Sequence, residues 1–136
     1  MDINNIKFHH IGFAVKDIHK AITWYKEVLG FDKLLPPGIC EMDLMGHTGY
    51  RCIIENKNGV CLELEQRTDT TFPNNQSPLI SHFSLTVDNI ETMREHLKNS
   101  NDAFVDSGGA ITEKPDKKIM YFTGIDGIRI ELIQNK

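Results

Sequence analysis

The sequence predicts an α+β fold built from two similar halves. Three residues of the first half recur with the same spacing 72 positions later: His10, Val15 and Ile18 as His82, Val87 and Ile90. An amphipathic stretch follows each of these motifs, and each half ends in an apolar-Glu-Leu segment, at 62–64 and 130–132. An internal repeat of this kind indicates one supersecondary unit used twice.

The first half begins with a strand and a helix. Ile11, Phe13 and Val15 alternate with smaller or polar residues, as expected of a strand with one buried face. Asp17 is a suitable N-cap for a helix that runs through about Leu29, with apolar residues at helical spacing and Gly30 at its C-terminal end. The segment 36–38, Pro-Pro-Gly, then breaks the chain.

A β-hairpin follows in the first half. Residues 50–56 and 60–66 read as two strands around Asn58-Gly59, a strong signal for a two-residue hairpin loop. Such a loop would pair Ile54 with Glu63. It would place Cys52, Ile54 and Cys61 beside Glu63.

The second half repeats this order after a polar segment. We predict one domain over residues 1–136, made of a first module at about 6–66, a linker at about 67–79 and a second module at about 80–134. In the second module Asp88 is the predicted cap of a helix that carries Ile90, Met93 and Leu97. A strand at 119–123 and a tight turn at Asp126-Gly127 lead into the final strand.

Four potential metal ligands lie on the polar phase of these strands. Successive strand side chains point to opposite sides, so His10, Glu63, His82 and Glu131 each project away from the apolar side of their segment. Two imidazoles and two carboxylates suit a divalent cation, and these donor types favour nickel, cobalt or zinc over calcium. Each half supplies one His and one Glu.

Composition, charge and cysteine spacing argue against several classes of protein. The formal charge of -4 and pI of about 5.8 provide no broad basic surface for nucleic acid. No apolar run approaches the roughly 20 residues that span a bilayer, and residues 1–5 lack the pattern of a signal peptide. The three cysteines have no metal-type spacing, so we expect reduced thiols in the cytoplasm.

Two stretches carry a family resemblance. Residues 10–18, His-Ile-Gly-Phe-Ala-Val-Lys-Asp-Ile, followed by 24–31, Trp-Tyr-Lys-Glu-Val-Leu-Gly-Phe, resemble the opening of the vicinal oxygen chelate superfamily. Residues 81–88 and 127–132 are similar to motifs of its second module. This superfamily includes glyoxalase I, methylmalonyl-CoA epimerase, bleomycin-resistance proteins and extradiol dioxygenases.

The resemblance implies two tandem βαβββ modules that form a curved mixed sheet around a metal, with helices outside, and a homodimer. Carried over position by position, its ligands are His10, Glu63, His82 and Glu131, the set that strand alternation also nominates. Four ligands in an octahedral shell leave two positions for adjacent oxygens of a substrate. The resemblance further implies proton transfer next to a carbonyl through a metal-bound enediolate, with Glu131 or Glu63 as base.

The resemblance favours a divalent-metal-dependent glyoxalase I-like lyase or isomerase that acts on a small carbonyl or thioester substrate. A Glu at position 63 favours glyoxalase I or the epimerase, because extradiol dioxygenases and fosfomycin-modifying enzymes have a two-His, one-Glu pattern in which this position is not a ligand. A methylmalonyl-CoA epimerase is the enzymatic alternative, and a bleomycin-resistance-like binding protein is the alternative of another class. Anionic substrate groups are expected to meet Arg129, Lys118 or Arg51.

Overall fold

The structure, a computed structural model, describes residues 2–44, 47–69, 82–105 and 109–136, except for the side chains of residues 42–47. The chain divides into two compact units, Met1–Gln76 and Ser77–Lys136. Most of the predicted linker at 67–79 lies outside the described residues. The two units have the same order of elements, and the predicted α+β class with two repeated modules is confirmed.

The first unit contains one α-helix and strands β1 to β5. Helix α1 is Ile18–Leu29; the strands are β1 (Ile11–Ala14), β2 (Lys33–Leu34), β3 (Cys40–Leu44), β4 (His47–Glu55) and β5 (Cys61–Arg67). Within the described residues they form a five-stranded mixed sheet in the order β1-β5-β4-β2, with β3 also paired to β4. The β1–β5 pair is parallel, with α1 and strands β2 to β4 in the connection between these two strands, and the other pairs are antiparallel.

The second unit repeats this arrangement. Helix α2 is Ile90–Lys98; the strands are β6 (Phe83–Thr86), β7 (Phe104–Val105), β8 (Thr112–Glu113), β9 (Lys117–Thr123) and β10 (Arg129–Asn135). Its described strands pair in the order β6-β10-β9-β7, with β8 on β9, and β6 lies parallel to β10. The positions of β1 and β5 in the first sheet therefore correspond to those of β6 and β10 in the second.

Each helix covers the apolar face of its own sheet. Tyr25 of α1 and Leu62 and Leu64 of β5 are almost completely buried, and α1 contacts β4 and β5. In the second unit Leu97 of α2 and Leu132 of β10 are equally buried. Burial of each large apolar side chain contributes about 1.5–3 kcal/mol of transfer free energy, which stabilises the packing of each helix on its sheet. The opposite sheet face is left to the polar residues of the strands.

The start of α1 agrees with the sequence and the start of α2 differs by one residue. Asp17 accepts hydrogen bonds from the backbone N–H groups of His19 and Lys20, and Gly30 ends α1 with a φ of 73°. The N-cap of α2 is Asn89, whose side chain accepts from the Thr92 N–H. The prediction of Asp88 as this cap was therefore wrong by one residue. Asn89 has the extended backbone conformation that an N-cap requires.

The predicted register of the first hairpin was also wrong by one residue. The Asn56 side chain accepts from the N–H groups of Asn58 and Val60, and Gly59 has a φ of 80°. The loop is therefore longer than the two residues expected of Asn58-Gly59. As a result Ile53, not Ile54, pairs with Glu63.

This register changes the neighbours of Glu63. Cys52 and Ile54 lie on the buried helix side, and both are at most 2% exposed. Arg51 and Ile53 lie instead on the side of Glu63, because directly paired residues share a face. Cys61 shares that side, as predicted.

Among the described residues, neither helix has the length and apolar character needed to cross a membrane.

Candidate functional site

In the first module, parallel strand pairing brings His10 to Glu63. His10 lies one residue before β1, and Gly12 pairs with Glu63 in the middle of β5. The imidazole Nε2 of His10 lies 3.5 Å from Oε2 of Glu63. A Cβ at Gly12 would lie 3.4 Å from Oε1 of Glu63, so the absence of a side chain there leaves room beside the carboxylate.

The second module builds the same pair from equivalent positions. His82 lies one residue before β6, and Ser84 pairs with Glu131 in β10. The Nε2 atom of His82 lies 3.7 Å from Oε1 of Glu131. Sequence alternation predicted that each half supplies one His and one Glu, and the structure places the His and the Glu of each half next to each other.

The spacing within each pair fits two donors of one cation. Bonds of about 2.0–2.2 Å to a zinc-like ion put an imidazole nitrogen and a carboxylate oxygen about 3.0–3.4 Å apart. The observed 3.5 and 3.7 Å are close to that separation and longer than a good N–H···O hydrogen bond. Within the described part of the chain, no three or more His, Cys, Asp or Glu side chains form a group that could hold a metal.

The His10 ring has a second partner. Its Nδ1 lies 2.7 Å from Nδ1 of His9, and the two rings meet edge to face. If His10 donates through Nδ1, its Nε2 keeps a lone pair on the side of Glu63, as a metal ligand requires. Through this contact His9 can select the tautomer of His10.

The Glu63 carboxylate lies beside a cation of its own sheet. Nη1 of Arg51 lies 3.3 Å from Oε2, the same oxygen that faces His10. This contact follows from the observed hairpin register, which puts Arg51 on the Glu63 side of β4. Arg51 was predicted to meet an anionic group of the substrate, and in the structure its anionic partner is Glu63.

The Glu131 carboxylate is held by two hydroxyl groups. Ser84 Oγ donates to Oε1 and Tyr121 Oη donates to Oε2, each at 2.6 Å. Partial burial raises the pKa of Glu131, but the Ser84 and Tyr121 hydrogen bonds, with smaller contributions from His82 and Lys117, lower it by more. The net result is a pKa below the ordinary value, so Glu131 is ionised at neutral pH.

Tyr121 is the central residue of the second pair, and sequence reasoning missed it. Its ring meets the His82 ring edge to face at 5.4 Å, and the Arg129 guanidinium lies 4.5 Å above the ring centre. The hydrogen bond to Glu131 raises the pKa of Tyr121. The predicted turn at Asp126-Gly127 could have identified it, because a hairpin centred on Asp126 pairs Tyr121 with Glu131.

The remaining predicted substrate contacts are divided between the two sides of the second sheet. Arg129 is exposed on the Glu131 side. Lys118 pairs with Gln134 on the helix side, where it donates to Glu91 of α2 at 2.7 Å and lies 3.8 Å from Glu113. Its neighbour Lys117 is close enough to Glu131 to lower the pKa of that carboxyl.

Comparison with known proteins then decides the family. Residues 9–121 match the model of the glyoxalase/bleomycin resistance protein/dioxygenase superfamily. The chain belongs to this superfamily. The resemblance seen in the motifs is thereby confirmed, whereas a particular closeness to glyoxalase I is not.

The similar proteins differ in what they do. The metallothiol transferase FosB of Staphylococcus epidermidis is 29% identical over 138 residues, which cover 97% of this chain and 82% of that protein. A glyoxalase family protein from Bacillus cereus superposes with a TM-score of 0.73 at 17% identity, covering 99% of this chain and 98% of that one. TnmS3, an antibiotic binding protein from Streptomyces sp. CB03234, superposes with a TM-score of 0.70 at 22% identity, covering 97% and 98%.

The two structural likenesses establish the shared fold alone. The superfamily includes metal-dependent enzymes as well as proteins that bind small molecules.

Proposed function

We propose that this protein is a divalent-metal-dependent enzyme of the glyoxalase I type, a lyase or isomerase that moves a proton next to a carbonyl of a small substrate. The observation that supports it is the repeated His–Glu pair, with nitrogen–oxygen separations of 3.5 and 3.7 Å. Nickel, cobalt or zinc would be held by both pairs together: His10, Glu63, His82 and Glu131.

The donor set suits this chemistry in charge and in kind. Two carboxylates balance a 2+ ion, and imidazole nitrogen suits nickel, cobalt and zinc. Such a cation would withdraw electron density from a carbonyl oxygen and so acidify the neighbouring C–H group. Glu63 or Glu131 would then accept the proton and return it to the adjacent carbon, while Arg129 or Arg51 would bind anionic groups of the substrate. Lys118 is not among these candidates, because it lies on the helix side and donates to Glu91.

A metallothiol transferase is the second candidate, supported by two observations. FosB is 29% identical to this chain in an alignment that covers 97% of this chain. The Arg51–Glu63 contact also gives Glu63 a partner that is not a metal. In this alternative His10, His82 and Glu131 alone would hold the cation, in the two-His, one-Glu pattern.

Parallel assays on one metal-loaded preparation separate these functions. We expect stoichiometric nickel, cobalt or zinc by elemental analysis, and turnover of the methylglyoxal–glutathione adduct. Turnover of fosfomycin with a thiol would instead favour the transferase, and turnover of methylmalonyl-CoA would favour the epimerase. If the protein instead binds bleomycin-like compounds in the absence of metal, its function is ligand sequestration and not catalysis.

Location and assembly complete the proposal. We place the protein in the cytoplasm as a homodimer, because its three cysteines are free and because members of this superfamily often form dimers. Sedimentation analysis of the purified protein tests the dimer, and a monomer at micromolar concentration would contradict it.

A further inference from the structure

The two modules differ at the positions that flank their glutamates. Glu63 pairs with Gly12 on one side and Ile53 on the other. At the equivalent positions Glu131 pairs with Ser84 and Tyr121. The second module therefore surrounds its carboxylate with two hydroxyl groups, whereas the first module has none at the equivalent positions.

These hydroxyl groups restrain Glu131 at both oxygens. Each contact is 2.6 Å long, within the range of strong O–H···O⁻ hydrogen bonds. Tyr121 also contacts the ring of His82 and thus touches both predicted ligands of its module. Its rotation is limited in turn by Arg129 above the ring.

Glu63 is restrained less strongly. Both of its polar contacts are to Oε2, at 3.3 Å from Arg51 and 3.5 Å from His10. Charge-assisted hydrogen bonds are usually 2.7–2.9 Å long. The Arg51 side chain is itself 40% exposed, so its guanidinium can move into solvent and remain hydrated.

We propose that Tyr121, together with Ser84, is a positioning residue that holds both oxygens of Glu131 in place for a metal ion. This inference rests on the proposed function.

Metal affinity measures the positioning role without any assay of activity. Titration calorimetry of metal-free protein with nickel or zinc is expected to show at least about tenfold weaker binding for Tyr121→Phe, because loss of an outer partner of a ligand costs about 10- to 100-fold. Tyr50→Phe is the matched control, since Tyr50 pairs with Glu41 and Gln66 of the first sheet. In a Glu131→Gln background, Tyr121→Phe should have no further effect.

The outcomes are distinguishable. If Tyr121→Phe binds metal as tightly as the wild type, this inference is wrong while the proposed function stands. Absence of metal binding by the wild type would overturn the proposed function and the inference with it.

Excess metal tests the same positioning role through activity. Tyr121→Phe should regain its kcat as the metal concentration rises, which a general loss of structure would not allow. A kcat of Tyr121→Phe that stays low at saturating metal would overturn the positioning role.

Discussion

At the residue scale, Arg51 decides between the two candidate functions. Its guanidinium faces the Oε2 atom of Glu63, where a cation held by that carboxylate would also have to bind. If Glu63 is a ligand, Arg51 competes with the metal. If Glu63 is not a ligand, the Arg51–Glu63 ion pair links two strands of the sheet and has no influence on metal affinity.

Arg51→Met should therefore raise metal affinity by about two- to fivefold, since a partly exposed ion pair is worth about 0.5–1 kcal/mol. Titration calorimetry with nickel or zinc measures the change. Lys33→Met is the matched control, because it removes a surface charge that lies 3.5 Å from Glu55 in the same sheet. An unchanged affinity in Arg51→Met would favour the three-donor transferase site.

The cysteines allow a second prediction at this scale. Burial, with nearby Cys40 and Glu63, raises the pKa of Cys52 to about 11. Burial and a contact with Glu55 also raise the pKa of Cys61, whereas Cys40 is partly exposed. We expect Ellman's reagent at pH 8 to modify Cys40 first and the other two thiols at least about tenfold more slowly. Rapid modification in a Cys40→Ser variant would contradict this order.

The raised pKa of Cys52 also links stability to pH. Between about 9 and 11 the folded protein keeps the Cys52 proton, whereas the unfolded chain has begun to lose it. The contribution to the free energy of unfolding is complete below the ordinary thiol pKa and decreases as the pH rises through this window. Urea unfolding at pH 8 and pH 10.5, with Cys52→Ala for comparison, measures the effect. A Cys52→Ala variant with the same pH slope as the wild type would contradict it.

At the scale of elements, local signals predicted α1 well and the first hairpin less well. Asp17 and Gly30 mark both ends of α1, and each acts through bonds to its immediate neighbours. The hairpin register depends on whether Asn58-Gly59 or the Asn56 side chain organises the loop, and the two choices differ by one residue. Cross-strand partners such as Arg51 for Glu63 depend on that register, so sequence alternation alone could not identify them.

The cap of α2 is a direct test of the observed element boundary. Asn89→Ala should lower the free energy of unfolding by about 1 kcal/mol, because the Thr92 N–H loses its side-chain acceptor. Asp88→Ala, one residue earlier, should change it by less than about 0.5 kcal/mol. Urea unfolding with an unchanged m-value measures both. A larger loss for Asp88→Ala would restore the boundary that the sequence suggested.

At the scale of the whole molecule, the repeat predicted the fold and the supply of one His and one Glu by each module. What it could not predict is the difference between the modules, because Tyr121 and Ser84 have no polar counterpart at Ile53 and Gly12. A repeat reveals what two halves share, and the asymmetry becomes visible only when strand register is known. The joint use of both pairs for one cation stays a prediction.

Thermal unfolding with added nickel tests that joint use. A ligand at 100 times its Kd stabilises the folded state by about 2.7 kcal/mol, which for a chain of this size is a rise in Tm of about 10 °C. If both pairs hold one cation, His10→Ala and His82→Ala should each abolish most of this rise, and the double variant should lose no more than either alone. Losses of about half in each single variant, adding up in the double variant, would mean that the modules bind metal independently.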